Sequence, residues 1–257
     1  MILIGIKNID KHLAFTYNLG KGGYIMKRIG IVVAMKVEKI AIEEKMKDKT
    51  NQIHYNLPFI TGKIGNTECV LVQSGVGKVN AARTTQILID KYKPEIVVNA
   101  GIGGSINHEL NIGDVVISQK IYQHDFDITA FDHPKGYVPE VGDYIECDKR
   151  LLNLFYNIIN EFENKENNVK IGIIASGDQF CTETAHKEQL KSQFNADIVD
   201  MECGAIAQVA YLDNIPFVGI RSISDVPNGD NISTYKDNVE RASEISSKIL
   251  EKFCMQY

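Results

Sequence analysis

The chain has 257 residues, of which 44% are hydrophobic, enough to bury the core of one large domain or two small ones. Its 28 Lys and Arg against 33 Asp and Glu give a net charge of -5, with no basic run that could neutralise a row of phosphates, which argues against nucleic acid and membrane surfaces as partners. Five scattered cysteines without a C-x-x-C pair predict neither a zinc site nor a disulfide framework, and they favour the reduced cytoplasm.

The first 25 residues are interrupted by Lys7, Asp10 and Lys11 before the core of a signal peptide could form, so they do not predict a secretion signal. A second methionine, Met26, opens MKRIGIVVAM, which resembles a protein start that leads straight into a strand. We therefore divide the chain into an N-terminal extension, 1–25, and a functional domain, 26–257. Two interpretations of the extension stay open: translated upstream sequence, or a disordered or loosely docked tail.

Short runs rich in Val and Ile alternate along the chain with longer segments of helical period. The predicted strands are, in order, RIGIVVAM, ECVLVQSG, EIVVNAGIG, DVVISQKIY, KIGIIASGD and PFVGIRSISD. The predicted helices are VEKIAIEEKM, KVNAARTTQILIDKY, RLLNLFYNIINEF, HKEQLKSQF, CGAIAQVAYLDN and YKDNVERASEISSKILEKF. This alternation predicts a single α/β domain with a central mixed, mostly parallel twisted sheet flanked by helices.

Polar residues and glycines gather where the predicted strands end, in the segments 34–38, 74–78, 99–104, 176–180 and 221–225. Open α/β sheets bind ligands at the carboxyl ends of their strands, so this pattern predicts one cleft there. The glycine-rich SGVGK is weak support by itself, since it lacks the spacing of a P-loop or a dinucleotide fingerprint.

Three acids, Glu38, Glu202 and Asp225, fall at this predicted rim. Each has a structural explanation by itself: Glu38 suits the first turn of a helix, Asp225 precedes a turn, and Glu202 could pair with Arg221 on the next strand. An unpaired buried charge is costly, so the carboxylates in the apolar stretch IVDMECGAIAQVA need a cation or a task. Together at one rim, with Arg221 between them, the three acids indicate a functional site.

Several ordered blocks resemble the 5′-methylthioadenosine/S-adenosylhomocysteine nucleosidases of the nucleoside phosphorylase superfamily, from Met26 to the final helix. The blocks are GIVVAMKVE, SGVGKVNAA, NAGIGG, NIGDVVIS, HDFDITAF, SGDQF, VDMECGAIAQVA and PFVGIRSISDV. The resemblance implies a nucleoside phosphorylase-like fold and hydrolysis of the bond between adenine and a 5′-thio-substituted ribose, in methionine and methyl-donor salvage. The implied substrates are methylthioadenosine and S-adenosylhomocysteine, with 5′-deoxyadenosine as a further candidate, and no cofactor is implied.

The resemblance assigns a different task to each acid. Glu38 matches the base that activates water, Asp225 the acid that protonates adenine at N7, and Glu202 the residue that holds the ribose hydroxyls. Cleavage builds positive charge on the sugar and negative charge on the base, which opposed carboxylates suit, by analogy with sugar hydrolases. A free aspartate is ionised near neutral pH, so Asp225 needs either burial or a proton relay through water, and both stay open.

The same resemblance implies contacts for the rest of the substrate. Phe180 would stack on adenine, while the backbone of Cys181 and Gly104 match positions that contact the base. The 5′-thio pocket would be lined by Met35, Val76 and Tyr235.

At the ribose, Met201 and Glu202 match a binding pair, with Arg221 nearby to offset the charge of Glu202. Asp200 is expected to be the less functional acid of this stretch, because neighbouring side chains of a strand point to opposite faces. Ile102 departs from the family pattern, since it stands where well-known members carry a serine that helps to hold ribose or the attacking water.

Ile128 and Phe131, in HDFDITAF, match residues that reach the pocket of a neighbouring subunit, so the resemblance implies a homodimer. His124, Asp125 and Asp127 could suggest a metal site, but their spacing fits no common one and the resemblance requires none.

Three alternatives stay open. A purine nucleoside phosphorylase shares the fold but attacks with phosphate, and those relatives carry arginines near the positions of Glu38 and Asn99, where an acid would repel an anion. A futalosine-type nucleosidase could use the same acids on a bulkier 5′ group. A catalytically dead nucleoside-binding protein would have no need of both Glu38 and Asp225.

Overall fold

A computed structural model describes residues 28–162, 167–227 and 231–257, so the predicted extension at residues 1–25 lies outside the described residues. Within these ranges the strands are β1 (Arg28–Val33), β2 (Lys47–His54), β3 (Leu57–Ile64), β4 (Thr67–Gln73), β5 (Ile96–Ser105), β6 (Val115–Gln123), β7 (Ile145–Glu146), β8 (Val169–Ser176), β9 (Ile198–Asp200) and β10 (Phe217–Asp225). The helices are α1 (Lys36–Glu43), α2 (Lys78–Tyr92), α3 (Lys149–Phe162), α4 (Thr184–Phe194), α5 (Cys203–Leu212) and α6 (Asn231–Gln256), with a 3₁₀ turn at Thr129–Phe131. All six predicted strands and all six predicted helices are present.

The strands form one mixed sheet in the order β10-β6-β8-β9-β5-β1-β4-β3-β2, with β7 paired to β6. A further pairing of β10 with β5 closes β10, β6, β8, β9 and β5 into a ring. β4, β1, β5 and β10 run parallel to one another, so their carboxyl ends meet at the same edge. The predicted single α/β domain with a mixed sheet is therefore confirmed, and the parallel strands bring the predicted rim together.

Burial explains which strands the sequence predicts best. All residues of β10 and all but the first of β1 are buried, and such strands give the continuous apolar runs of a sheet covered on both faces. Helix α6 packs on β5 and β10 and contacts α1 and α3, while α2 and α5 pack on each other.

The hairpin of β2 and β3 was missed by the sequence analysis. Seven of the eight residues of β2 are exposed, and its sequence KDKTNQIH has neither an apolar run nor alternation. Charged residues are common on edge strands, where they discourage pairing with other chains. The turn between the two strands places Tyr55 and Asn56 at positive φ, as a tight hairpin turn requires.

No helix within the described ranges is long and apolar enough to cross a membrane. All five cysteines of the chain are free and buried.

Candidate active site

A cavity of about 370 Å³ lies at the sheet edge where the sequence predicts a cleft. Its walls come from residues at or just after the ends of β1, β4, β5, β8, β9 and β10, and from the start of α6. The predicted site residues that line it are Met35, Glu38, Val76, Gly104, Phe180, Cys181, Met201, Glu202, Asp225 and Tyr235.

Glu38 is the third residue of α1, and its side chain is almost fully buried at the cavity wall. One carboxylate oxygen, Oε2, accepts hydrogen bonds from the backbone N–H groups of Ala34 at 2.9 Å and Met35 at 2.8 Å, as an acid at this helix position does in a capping box. The other oxygen, Oε1, accepts one from the N–H of Ile102 at 3.1 Å. Glu38 therefore fixes the start of α1 and joins it to β5.

Burial and nearby donors act in opposite directions on the pKa of Glu38. Burial raises its pKa above the ordinary 4.5, while Arg221 and the backbone donors act in the opposite direction. Gly101 makes room for the carboxylate, because a Cβ on residue 101 would lie 2.4 Å from Oε1. The result is a carboxylate held in place at a cavity wall with a raised pKa, which suits a general base.

Glu202 lies in the turn between β9 and α5, and its Oε1 accepts a hydrogen bond from the backbone N–H of Gly77 at 2.9 Å. Burial raises the pKa of Glu202 to about 7, and the neighbouring charge of Asp200 adds to the increase, while the Gly77 donor and Arg221 oppose it. The segment after β4, which holds Gly77, is thereby tied to the end of β9.

Arg221 is 1% exposed and lies behind the cavity wall, not among the described residues that line it. Its Nε donates to Oδ2 of Asp200 at 3.0 Å, its Nη2 binds the same oxygen, and its other donors bind the carbonyl and side-chain oxygens of Asn99. The ion-pair partner of Arg221 is therefore Asp200 and not Glu202, although Arg221 is near enough to lower the pKa of Glu202. The predicted contact of Arg221 with the substrate stays a prediction.

The reason is local. β9 ends at Asp200, so strand alternation does not extend to Met201 and Glu202, which belong to the following turn. Asp200 accepts the N–H of Cys203 at 2.9 Å at the start of α5 while it pairs with Arg221, and it also lines the cavity. Strand alternation therefore gives no reason to rank Asp200 below Glu202, and the expectation that Asp200 is the less functional acid stays a prediction.

Asp225, at the end of β10, forms a buried ion pair with Lys187 of α4. Lys187 Nζ lies 2.9 Å from Asp225 Oδ2, and the two residues are 1% and 2% exposed. The hydroxyl of Ser224 donates to Oδ1 of Asp225 at 2.9 Å. The carboxylate packs on the backbone of Gly104, where a Cβ would lie 2.9 Å from Oδ2.

The cavity also has an apolar part. The rings of Phe180 and Tyr235 meet edge to face with centroids 5.5 Å apart, and the Tyr235 hydroxyl donates to the sulfur of Met35 at 3.1 Å. Phe180 and Val76 are each about half exposed, at 47% and 48%. An aromatic face and a thioether are therefore available beside the three acids.

Ile128 and Phe131 are not among the described residues that line the cavity of their own chain. Ile128 precedes the 3₁₀ turn at Thr129–Phe131 and Phe131 is its last residue, which is 75% exposed. In the same stretch, Asp125 pairs with Lys78 at 2.7 Å and Asp127 accepts hydrogen bonds from Thr129. No group of three His, Cys, Asp or Glu side chains in the described part of the chain could hold a metal ion.

The phosphorylase superfamily family model matches residues 28–254. The chain is 39% identical over 223 residues to the 5′-methylthioadenosine/S-adenosylhomocysteine nucleosidase of Staphylococcus carnosus (strain TM300), a match that covers 86% of this chain and 96% of that relative. It is 36% identical over 229 residues to the enzyme of the same name from Staphylococcus aureus (strain MRSA252), covering 89% and 99%. The chain belongs to the family of 5′-methylthioadenosine/S-adenosylhomocysteine nucleosidases. The predicted family is thereby confirmed, and with it the predicted enzyme class, the N-glycosyl hydrolases.

Solved structures of nucleosidases have the same fold. The S-adenosylhomocysteine nucleosidase of Streptococcus pyogenes in complex with 5-methylthiotubericidin has a TM-score of 0.86 at 32% identity, over 91% of this chain and 98% of that one. Futalosine hydrolase of Helicobacter pylori strain 26695 has a TM-score of 0.83 at 33% identity, over 89% and 97%.

Sequence reasoning missed two cations of this nucleosidase. Lys187 lies in HKEQLKSQF, which reads as an ordinary surface helix, and only the folded chain buries it, beside Asp225. Lys236 lines the cavity from α6, and its one signal in the sequence was its position next to Tyr235.

Proposed function

We propose that the protein hydrolyses the N-glycosidic bond of 5′-methylthioadenosine and S-adenosylhomocysteine, and releases adenine and the 5′-thio-substituted ribose. The observation that carries the proposal is the convergence of three buried carboxylates, Glu38, Glu202 and Asp225, on one cavity in a chain of this family. 5′-Deoxyadenosine, which keeps the adenine and the ribose, is a third candidate substrate.

In this proposal the three acids act at different points of the substrate. Glu38 takes a proton from the attacking water, which its raised pKa favours. Glu202 accepts hydrogen bonds from the ribose hydroxyls, and Asp225, packed against Gly104, serves N7 of adenine. Positive charge that develops on the sugar then faces carboxylates, and negative charge that develops on adenine receives a proton.

The remaining contacts follow from the apolar part of the cavity. Phe180 presents an aromatic face for adenine, next to Cys181 and Gly104 at the base. Met201 lies beside Glu202 at the ribose. The 5′-thio group is assigned to the apolar surface of Met35, Val76 and Tyr235, where sulfur and aromatic atoms attract one another.

Hydrolysis is favoured over phosphorolysis by the charges around the cavity. Lys236 is the only cation among the described lining residues, and it is exposed. Arg221 and Lys187 lie behind the wall, each paired with a carboxylate. A phosphate ion placed to attack the sugar would therefore face the carboxylate of Glu38, while the nearby Arg221 is engaged with Asp200 behind the wall, whereas a neutral water would not be repelled.

We also propose that the enzyme acts as a cytoplasmic homodimer in which Ile128 and Phe131 reach the cavity of the partner subunit. Exposed large apolar side chains such as Phe131 support an interface at this turn. Phe131→Ala should weaken affinity for 5′-thio-substituted ligands more than affinity for adenine, in titration calorimetry. An equal loss for both ligands would count against this placement, and a monomer in analytical ultracentrifugation would rule the dimer out.

The test of the activity is adenine release by the purified protein from methylthioadenosine, S-adenosylhomocysteine and futalosine, each with and without phosphate. Release without phosphate from the 5′-thio substrates is expected. A requirement for phosphate would mean phosphorolysis, and a higher kcat/KM for futalosine would favour the futalosine-type alternative. No release from any substrate would favour a binding protein.

A further inference from the structure

The ion pair of Lys187 and Asp225 carries an inference that rests on the proposed function. Both residues are almost completely removed from solvent, and the 2.9 Å between Nζ and Oδ2 is the distance of a charge-assisted hydrogen bond. Asp225 lines the cavity, while Lys187 does not belong to its described lining. Asp225 therefore stands between Lys187 and a bound substrate.

Stability does not account for this lysine. A buried ion pair contributes little net stability, because removing both charges from water offsets their attraction. Lys187 also lies in the first turn of α4, where the positive end of the helix macrodipole disfavours a cation. The burial of Lys187 beside Asp225, an acid of the cavity wall, is therefore explained better by a role in the site than by a gain in stability.

The chemistry of adenine departure supplies that reason. An aspartate paired with an ammonium ion is a carboxylate, and a carboxylate has no proton to give to N7. The Lys187 ammonium lies within hydrogen-bond distance of Asp225 and carries protons that an amine can release, which an arginine does not do in proteins. The buried pair thus holds a transferable proton as well as a balanced charge.

We propose that Lys187 is a positioning residue that orients Asp225 and supplies the proton that Asp225 delivers to adenine. As the bond between the ribose and N9 breaks, its electron pair moves onto adenine. One N–H bond of Lys187 breaks and an O–H bond forms at Oδ2 of Asp225. That O–H bond then breaks as N7–H forms, which leaves neutral adenine, an Asp225 carboxylate and a neutral Lys187 amine. The proton that Glu38 took from the attacking water is released to solvent, and solvent returns one proton to the Lys187 amine before the next turnover, so that no net proton is gained or lost.

The experiment compares two leaving groups with each variant: adenine, from methylthioadenosine, and 4-nitrophenolate, from the 4-nitrophenyl glycoside of 5-methylthioribose. Nitrophenolate leaves as a stable anion and needs no proton. Lys187→Met should lower kcat for adenine release by roughly 10²-fold or more, the usual contribution of a general acid, with KM little changed. Release of nitrophenolate should stay within about threefold of the wild type, since the sugar half of the site is intact.

Lys187→Arg separates the proton from the charge. Arginine keeps a cation beside Asp225 but retains its proton, so this variant should lose adenine release and keep nitrophenolate release. Lys191→Met, one turn along α4 at a partly exposed position, is the matched control and should behave as the wild type with both substrates.

Several results would overturn the inference. An equal loss with both leaving groups would mean that Lys187 only supports the fold, and near wild-type adenine release by Lys187→Arg would mean that charge alone matters. Faster adenine release by Lys187→Met would mean that the lysine restrains Asp225. If Lys187→Met does not fold, as judged by circular dichroism, the test uses Lys187→Arg alone. A ratio of adenine release to nitrophenolate release that equals the wild-type ratio would then overturn the inference. Failure of the proposed function would look different, because the wild type itself would release neither leaving group.

Discussion

Asp200, which lines the cavity, and Arg221, which lies behind the wall, form a buried ion pair in which Nε of Arg221 donates to Oδ2 of Asp200 at 3.0 Å. The same carboxylate accepts the N–H of Cys203 at the start of α5. Glu202, two residues along the chain, is therefore not needed to neutralise the arginine. Removing the charge of Asp200 should accordingly destabilise the fold much more than removing the charge of Glu202.

Asp200→Asn should destabilise the protein strongly. The variant leaves the Arg221 guanidinium buried without its counter-charge, a loss of about 3–5 kcal/mol when a buried pair is broken. Guanidinium unfolding monitored by circular dichroism measures the change. Glu202→Gln is the matched control, since Arg221 keeps Asp200 and the new amide oxygen can still accept the Gly77 N–H. Equal destabilisation by the two variants would contradict the pairing.

The pH dependence of stability should report Glu202. Its pKa in the folded protein is about 7 against an ordinary 4.5, so the folded state binds more protons than the unfolded state between these values. The stabilising contribution is fully present below about pH 4.5 and is lost as the pH rises through about 7. The Tm of the wild type relative to Glu202→Gln should therefore rise when the pH falls from 8 to 5, in scanning calorimetry. A difference that does not change with pH would mean that Glu202 titrates normally.

Glu38→Gln should separate binding from chemistry. Glutamine cannot take a proton from water, so hydrolysis should fall by roughly 10²-fold or more while ligand binding persists. Some stability should also be lost, because one carboxylate oxygen becomes an NH₂ group, which cannot accept a hydrogen bond. That group would face either the N–H of Ile102 or the N–H groups of Ala34 and Met35, which would lose their acceptor. Stopped-flow turnover and titration calorimetry give the two quantities, with Glu43→Gln on the same helix as control. Near wild-type turnover would remove Glu38 from the role of base.

Ile102→Ser should be tolerated better than a core truncation. Ile102 lines the cavity at 8% exposure and belongs to neither of the two clusters of the hydrophobic core, whereas Ile31 is fully buried in the larger one. Ile31→Ser should therefore destabilise the protein more than Ile102→Ser does. Truncation of a buried Ile to Ala costs roughly 2–5 kcal/mol, and burial of the serine hydroxyl adds to that cost. Turnover of Ile102→Ser should be equal to or above the wild type, because a hydroxyl returns to the sugar end. A stability loss as large as that of Ile31→Ser would place Ile102 in the core.

Lys236 should select for acidic 5′ substituents. It shares one face of α6 with Ile232 and Tyr235, which also line the cavity, and its ammonium is exposed. Lys236→Met should lower kcat/KM for adenosine 5′-thioethers that end in a carboxylate by roughly two- to fivefold, the range of an exposed ion pair. Methylthioadenosine should be unaffected, and Lys248→Met on the same helix should change neither substrate. The preference of the wild type for substrates that end in a carboxylate should also weaken as salt is added. A preference that persists at high salt would mean that another residue is responsible.

Much of the fold follows from the sequence because burial leaves a pattern. β1 and the first half of β10 are apolar runs in strands that are buried along their length, so RIGIVVAM and PFVGIRSISD can be recognised as strands without any tertiary information. The edge hairpin of β2 and β3 leaves no such pattern, since its outer strand faces solvent and its polar residues could equally form a loop.

The sequence by itself determined the buried strands, the helices, and the segments at the strand ends that carry the three acids, because each of these depends on residues close together in the chain. Only the tertiary structure decided which charges meet. Arg221 could have paired with Glu202 or Asp200, and the end of β9 at Asp200 selects Asp200. Lys187 meets Asp225 across 38 residues, because the fold brings the start of α4 to the end of β10. Electrostatic pairing depends on distances of a few ångströms between side chains, and spacing along the chain does not encode such distances.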